Sequence, residues 1–432
     1  MKLAILNGHV TDPANQIDQT GHIYIDSGRI LDSNVVAEGF RADHEIDASG
    51  LLVCPGLIDL SARLREPGQE HKATIASETR AAASQGITTL CCPPDTQPII
   101  DTPAVARLIR QRAEQAGFAR VIPLAALTQS LENKQLSEMA ALKAAGCPAV
   151  CNTTPITNTA ILRNAMLYAA TQGMTVILPP VDHWLSHEGS AHEGAVATRL
   201  GLPGIPEAAE TAAVARDLAL AEQTGVRIHF ARLSTAQAVR MVARARFDGI
   251  RVSADVAITS LFFTEMDVDG YDSTYHTSPP LRTQSDRDGL REGVAQGAIS
   301  AICSDHQPHE ADAKLAPFSA TETGMSSLEL LLPLTLRLVE EGVLSLSDAI
   351  ARLSSGPAEV LGLDSGTLSP GQPADLCLID PQAVWTFSHD QMLSRGQNAP
   401  CHDWEFKGRT CLTLLAGKPV YNTLDTRLTG QT

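Results

Sequence analysis

Leu57-Ile58-Asp59-Leu60 is the first of eight short apolar runs that decide how the middle of this 432-residue chain folds. Between the runs the sequence changes to helix-like patterns that end at glycines such as Gly117 and Gly173. The other seven runs are 88–92, 120–124, 148–151, 175–178, 227–230, 251–255 and 301–304. Alternating strands and helices are typical of a parallel sheet, and eight is the strand number of a closed (β/α)8 barrel. The sequence therefore predicts an α/β fold centred on a TIM-type barrel.

Both ends of the chain carry a different pattern, that of short strands separated by turns. Examples are Lys2–Leu6 near the start and Ala374–Ile379 near the end. We predict that residues 1–52 and 365–432 together form a small β-sandwich domain, and that residues 53–364 form the barrel. Two long connections, 179–205 and 256–300, are expected to cover the carboxyl ends of the barrel strands.

The composition is that of an ordinary globular protein, with 44% hydrophobic and 19% charged residues. A net charge of −16 would repel phosphate backbones and anionic lipid surfaces, so neither nucleic acid nor a membrane is an expected partner. Nine cysteines without C-x-x-C spacing indicate reduced, buried thiols. No apolar run approaches the length of a membrane span, and the first residues turn polar at Asn7, so we expect a soluble, cytoplasmic protein.

In a (β/α)8 barrel the chemistry lies where the strands end. The first run leads into Asp59, and the last leads into Ser304-Asp305-His306-Gln307-Pro308-His309. Two carboxylates and two imidazoles in adjacent strand ends are typical of a metal-assisted hydrolase, in which a divalent ion activates water and an aspartate takes its proton.

These segments carry a resemblance to a known family, together with Gly201-Leu202-Pro203-Gly204-Ile205-Pro206 and Pro279-Pro280-Leu281-Arg282. In their order along nearly the whole chain they resemble the dihydroorotase branch of the amidohydrolase superfamily, close to dihydroorotase, allantoinase and hydantoinase. The resemblance implies a (β/α)8 barrel with a β-sandwich made from both termini, which agrees with the pattern of strands.

The resemblance also implies metal ligands, and most of those positions hold other residues. The two zinc-binding histidines after the first strand are replaced by Ser61 and Arg63. The segment 151–154, Cys-Asn-Thr-Thr, lacks the bridging lysine or aspartate. Pro179 and Arg232 stand where the histidines after the fifth and sixth strands are expected.

Only the last metal ligand is retained, as Asp305, which in the family also transfers the proton. Among the substrate contacts that the resemblance implies, Arg65 and His309 match the family. Asp95 and Ser278 stand where asparagines are expected. A carboxylate at position 95 would repel an anionic substrate.

Arginine cannot lose its proton in a protein and only donates hydrogen bonds, so Arg63 and Arg232 place fixed positive charge where a metal would bind. We therefore predict no zinc and no other cofactor. The guanidinium groups are expected to pair with Asp59 and Asp305 instead, which leaves both carboxylates as vestiges of a catalytic site.

Several other residues have less specific interpretations. His229, inside the sixth strand, is predicted to be a hydrogen-bonded core histidine. His187 and His192 are five residues apart with Gly189 between them, which does not fit a zinc-protease helix. Arg65 has two open interpretations, an anion contact or a structural pair with Glu66 or a neighbouring loop.

Within the dihydroorotase branch the sequence is most similar to the non-catalytic homologues that accompany aspartate transcarbamoylase in some bacteria. That similarity implies a structural subunit of pyrimidine biosynthesis, which forms a homo-oligomer within a hetero-oligomer with the aspartate transcarbamoylase catalytic chain. The alternative is an active cyclic-amide hydrolase with a single metal or none, in which Asp305 is the base.

Overall fold

The computed structural model describes residues 2–32 and 40–424. Each of the eight predicted runs contains a strand, and these strands pair in parallel in two sheets. The three-stranded sheet consists of Leu57–Asp59, Ile87–Cys92 and Arg120–Pro123. The six-stranded sheet consists of Ala125–Ala126, Ala149–Cys151, Thr175–Leu178, Arg227–Phe230, Val252–Ala257 and Ala301–Cys303.

The two parallel sheets are connected by the chain at one edge and by an isolated bridge at the other. On one side, Leu124 lies between the last strand of the small sheet and the first of the large one, and its N–H donates to the carbonyl of Cys92 at 2.9 Å. On the other side, Ala62 and His306 form a parallel bridge just beyond the ends of their strands. The first and last strands therefore end next to each other.

Helices alternate with these strands, and glycines end several of them as predicted. Gly117 and Gly173 have φ values of 75° and 63°, the left-handed conformation that glycine adopts without steric cost. The α-helices are Ile75–Ser84, Pro103–Ala116, Met139–Ala144, Thr159–Gln172, His183–Ser186, Ala195–Leu200, Ala208–Thr224, Ala236–Phe247, Gln284–Ala295, Leu331–Glu340, Leu346–Leu353 and Ser355–Leu361.

Strands from the two ends of the chain join in one sheet of eight strands. The central contact is made by Leu52–Pro55, which pairs in parallel with His9 and Val10 and antiparallel with residues 376–379. The members are Lys2–Asp12, Ile17–Asp26, Arg29–Ile30, His44–Asp47, Leu52–Pro55, Leu376–Thr386, Glu405–Leu415 and Lys418–Asn422. Residues 1, 33–39 and 425–432 of the predicted sandwich domain lie outside the described residues, and its limits stay a prediction.

The interior is filled mainly by aliphatic side chains, as expected from an aromatic content of 4%. The terminal sheet has its own core, in which Leu3 and Ile5 from the start of the chain pack with Leu376 and Leu412 from its end. All nine cysteines are buried, which confirms the expectation of buried thiols.

The two long connections are more ordered than the sequence pattern predicts. Residues 179–205 contain two short helices and a paired strand, Ala191–His192 with Gly204–Ile205. In the second connection the strand continues to Ala257 and is followed by three 3-10 turns. No helix among the described residues has the length and apolar character needed to cross a membrane.

Candidate functional site

The candidate site forms where the first and last parallel strands end. Backbone hydrogen bonds join the segments that follow these strands, because the N–H of Arg63 donates to the carbonyl of His306 at 2.9 Å, and the N–H of His306 donates to that of Ser61 at 3.1 Å. The prediction that Asp59 and Asp305 lie at adjacent strand ends is therefore confirmed.

Asp59 is fully buried, and no arginine of the described residues pairs with it, so the predicted ion pair at this residue is wrong. Its carboxylate instead accepts hydrogen bonds from the backbone N–H groups of Ser304 at 2.9 Å and Ser61 at 3.2 Å, and from the Ser304 hydroxyl. Both oxygens of Asp59 therefore accept a hydrogen bond from a neighbouring serine. Burial raises the pKa of Asp59 to about 6, although the serine hydrogen bonds partly oppose this.

Asp305, in contrast, forms the predicted ion pairs. Its Oδ1 accepts from Nη1 of Arg232 at 2.8 Å and lies 3.5 Å from Nη1 of Arg63. Ser61 and Gln307 complete the shell, with their side chains 3.4 and 3.2 Å from the carboxylate oxygens. Burial by itself would lower the pKa of Arg232, but the charge of Asp305 raises it well above its ordinary value.

The second partner of Arg63 is Asp95, whose Oδ2 accepts from Nε at 2.7 Å. Burial opposes ionisation of Asp95, but the adjacent guanidinium outweighs that effect, and the pKa of the carboxyl is lowered. Arg63, Arg232, Asp95 and Asp305 thus form a cluster of two cations and two anions. Asp95, which the resemblance places among the substrate contacts, is therefore part of an ion pair.

The backbone around the ion pair is held in an uncommon conformation. Arg232 and Asp305 both have positive φ values, 59° and 47°. The N–H of Arg232 donates to Oδ1 of Asp255 at 2.7 Å, and the other oxygen of Asp255 is 2.8 Å from Nε2 of the fully buried His229. His229 is therefore a hydrogen-bonded core histidine, as predicted.

Arg65 and His309 are also brought together, with Nη2 of Arg65 2.9 Å from Nε2 of His309. Lys72 lies on the other side of the ring, 3.2 Å from Nδ1. Burial, followed by the charges of Arg65 and Lys72, lowers the pKa of His309 to about 3, so the ring is neutral. Arg65 also donates to the carbonyl of Pro308, whereas Glu66 pairs with Arg112.

The remaining predicted residues, Pro179 and Ser278, line one cleft with Arg232. The cleft has a volume of about 340 Å³ and is also bordered by His183 and Arg282. The structure therefore places these three positions in one cleft, although each carries a residue type other than the one that the resemblance implies.

Two buried acid–imidazole pairs beside the site were not found by the sequence analysis. One is the Asp255–His229 pair described above. In the other, Nε2 of His306 is 2.7 Å from Oε2 of Glu78, and both side chains are fully buried. A carboxylate inside an apolar run, such as Asp255 in Val252–Ala257, was the available signal. Glu78 lies in a helix, and its sequence context gave no such signal.

The side chains at the strand ends do not fit a divalent metal. Zinc requires three or four unprotonated N, S or O donors, but Arg63 and Arg232 offer only N–H groups and positive charge, and the Pro179 side chain offers no donor atom. Among residues 2–32 and 40–424, no group of three or more His, Cys, Asp or Glu side chains is arranged to hold a metal ion.

Comparison with solved structures identifies the class of fold. L-hydantoinase from Arthrobacter aurescens superimposes with a TM-score of 0.87 over 99% of this chain and 97% of that chain, at 20% identity. A D-hydantoinase gives a TM-score of 0.80 over 98% of this chain and 95% of that chain, at 22% identity. The mixed α/β fold is thus that of the hydantoinase-type amidohydrolases.

Sequence comparison identifies the family. A family model described as dihydro-orotase-like matches residues 50–238. A dihydroorotase-like protein of Pseudomonas aeruginosa is 49% identical, covering 96% of this chain and 99% of that protein. A protein named dihydroorotase from Syntrophotalea carbinolica is 45% identical, covering 98% of this chain and 100% of that protein. The chain belongs to the dihydroorotase-like family.

The raised pKa of Asp59 predicts a pH dependence of stability. The folded chain binds this proton more tightly than the unfolded chain, so the stabilisation is complete below the ordinary pKa of 3.8 and is lost as the pH rises through about 6. Asp59→Asn cannot ionise. Between about pH 4.5 and about pH 7.5, urea unfolding should show this variant gaining about 2 kcal/mol relative to the unmodified chain. If the free energies of unfolding of the two proteins changed equally with pH, the raised pKa of Asp59 would be contradicted.

The Arg232–Asp305 pair predicts strong coupling in a double-mutant cycle. Arg232→Met leaves a largely buried carboxylate with only the more distant Arg63, and should reduce the free energy of unfolding by about 3 kcal/mol. Asp305→Asn in the Arg232→Met background should cost much less than it does alone, because a neutral amide needs no cation. Arg244→Met, which breaks an exposed pair with Asp248, is the control and should cost less than about 1 kcal/mol. Additive effects at positions 232 and 305 would contradict the coupling.

Proposed function

We propose that this protein is a non-catalytic dihydroorotase homologue, which serves as a structural subunit of an aspartate transcarbamoylase assembly in cytoplasmic pyrimidine biosynthesis. The observation that carries the proposal is the ion pair between Arg232 and Asp305, at 2.8 Å. Asp305 matches the family's proton-transferring aspartate, and its partner occupies a position where the family has a zinc ligand. Arg232 thus takes the place of a zinc ligand and also pairs with the aspartate that would act as the base.

The alternative, an active hydrolase that uses Asp305 as base, needs a carboxylate that reaches water and substrate. Here Oδ1 of Asp305 faces Arg232, Arg63 and the Ser61 hydroxyl, while Oδ2 accepts from Gln307. Both oxygens of this carboxylate are thus engaged by side-chain donors of the site itself. The geometry therefore favours the non-catalytic function.

We also infer that the two parallel sheets are parts of one closed (β/α)8 barrel. The bridge between Ala62 and His306 joins the segments that follow the outer strands at one edge, and at the other edge only Leu124 separates Arg120–Pro123 from Ala125–Ala126 along the chain. The hydantoinase-like fold is consistent with this closure. A rigid barrel without its metal chemistry remains a suitable scaffold for a partner chain.

The partner and the lack of activity can be tested together. We expect co-expression with the aspartate transcarbamoylase catalytic chain of the same organism to give one peak in gel filtration that contains both chains. We expect the purified protein, with zinc added, to show no interconversion of carbamoyl aspartate and dihydroorotate above the buffer blank. Separate elution would contradict the assembly, and enzyme-like turnover would support the alternative.

A further inference from the structure

Exposed apolar side chains are concentrated in three loops that follow strands of the six-stranded sheet: residues 179–205, 258–278 and 304–324. We refer to the exposed residues of these loops as the strand-end surface. Among the described residues, eight large apolar side chains are exposed, and five of them lie here. Their exposed fractions are 75% for Trp184, 42% for Leu185, 58% for Met266, 50% for Tyr271 and 78% for Leu315.

The three loops form one continuous surface because hydrogen bonds join each to the other two. The Tyr271 hydroxyl donates to the carbonyl of Leu200 at 2.7 Å, which links the first and second loops. The Ser273 hydroxyl donates to the carbonyl of Lys314 at 2.7 Å. The hydroxyls of Ser190 and Ser319 are 2.8 Å apart. The loops that carry the exposed apolar side chains are therefore connected to one another.

Trp184 is presented on a fixed turn. The N–H groups of Trp184 and Leu185 both donate to Oδ1 of Asp182 at 3.0 Å, which caps the helix His183–Ser186. The rings of His183 and Trp184 are in edge contact, with centroids 4.8 Å apart. A large exposed aromatic side chain on a capped turn is a frequent anchor in binding surfaces.

The loops that form this surface are strongly acidic. Its three loops contain eleven carboxylates and only two side-chain cations, Arg199 and Lys314. Nine of the sixteen excess negative charges thus lie in these loops, but Asp305 is taken up by the ion pair with Arg232. The exposed carboxylates are Glu188, Glu193, Asp269, Asp272, Asp312 and Glu322. Within the described part of the chain, one oxygen each of Glu265 and Glu310 is buried without a hydrogen-bond partner. Exposed carboxylates on these loops favour a partner surface that carries cations.

We propose that the strand-end surface is the docking face for a partner chain that presents basic side chains around an apolar patch. The inference rests on the proposed function, since it assigns this face to the contact with the aspartate transcarbamoylase catalytic chain. Charge complementarity selects this occupant. A second copy of the same chain would bring two strongly negative faces together, and like charges across an interface oppose association.

Binding kinetics on the immobilised aspartate transcarbamoylase catalytic chain test the proposal, with the full chain and two double variants. Trp184→Ala with Leu315→Ala should raise the dissociation rate at least about tenfold, because both anchors are lost. Glu188→Lys with Asp312→Lys should slow association about tenfold at low salt, and the difference should shrink at high salt as charges are screened.

Matched controls come from exposed side chains outside this surface. Phe247→Ala removes an exposed aromatic ring at the end of the helix Ala236–Phe247, and Glu222→Lys reverses an exposed charge on the helix Ala208–Thr224. Both should bind within about twofold of the unmodified chain, since surface changes away from an interface contribute little. Circular dichroism melting curves establish that each variant is folded.

Each outcome separates this inference from the proposed function. If the unmodified chain binds and both strand-end variants bind equally well, the docking face is wrong while the assembly stands. If the unmodified chain does not bind, the assembly and this face both fail. If the variants change only the self-association of the chain, the occupant is a second copy and the inference is overturned.

Discussion

The buried ion pair between Arg232 and Asp305 constrains the whole candidate site. An arginine with 8% exposure must find a carboxylate, because an uncompensated buried charge costs several kcal/mol. Asp305 supplies it, and Arg63 with Asp95 completes a cluster without net charge. Two residues with positive φ hold this geometry, and the buried Asp255 fixes the backbone N–H of Arg232. A dication would have to displace two guanidinium groups that cannot be deprotonated.

Much of the fold follows from local pattern. Short apolar runs separated by amphipathic stretches give parallel strands at all eight predicted places, and glycines mark helix ends because only they adopt positive φ without strain. The pairing of Leu52–Pro55 with the strand that begins at Leu376 follows from similar patterning at both termini. The limits of the connections were less predictable, since short helices such as His183–Ser186 depend on a single cap from Asp182.

The site was only partly predictable, for a different reason. The charge of arginine is independent of context, so Arg232 and Arg63 predicted partners for Asp305 correctly. Asp59 was mispredicted because its donors are backbone N–H groups of Ser61 and Ser304, whose proximity is set by the junction of the first and last strands. Every non-proline residue has a backbone N–H group, so the residue type does not indicate which of them will donate. Partners such as Glu78, far from His306 in sequence, are hidden likewise.

The central claim is that the cluster of Arg63, Arg232, Asp95 and Asp305 binds no metal, because ion pairs stand where metal ligands would be. Elemental analysis tests it most directly, on protein purified without chelator from zinc-supplemented cells. The account predicts zinc, iron and manganese contents at the level of the buffer blank, both before and after incubation with excess zinc and desalting. The account would be contradicted if the unmodified chain held stoichiometric zinc and the Asp305→Ala variant did not.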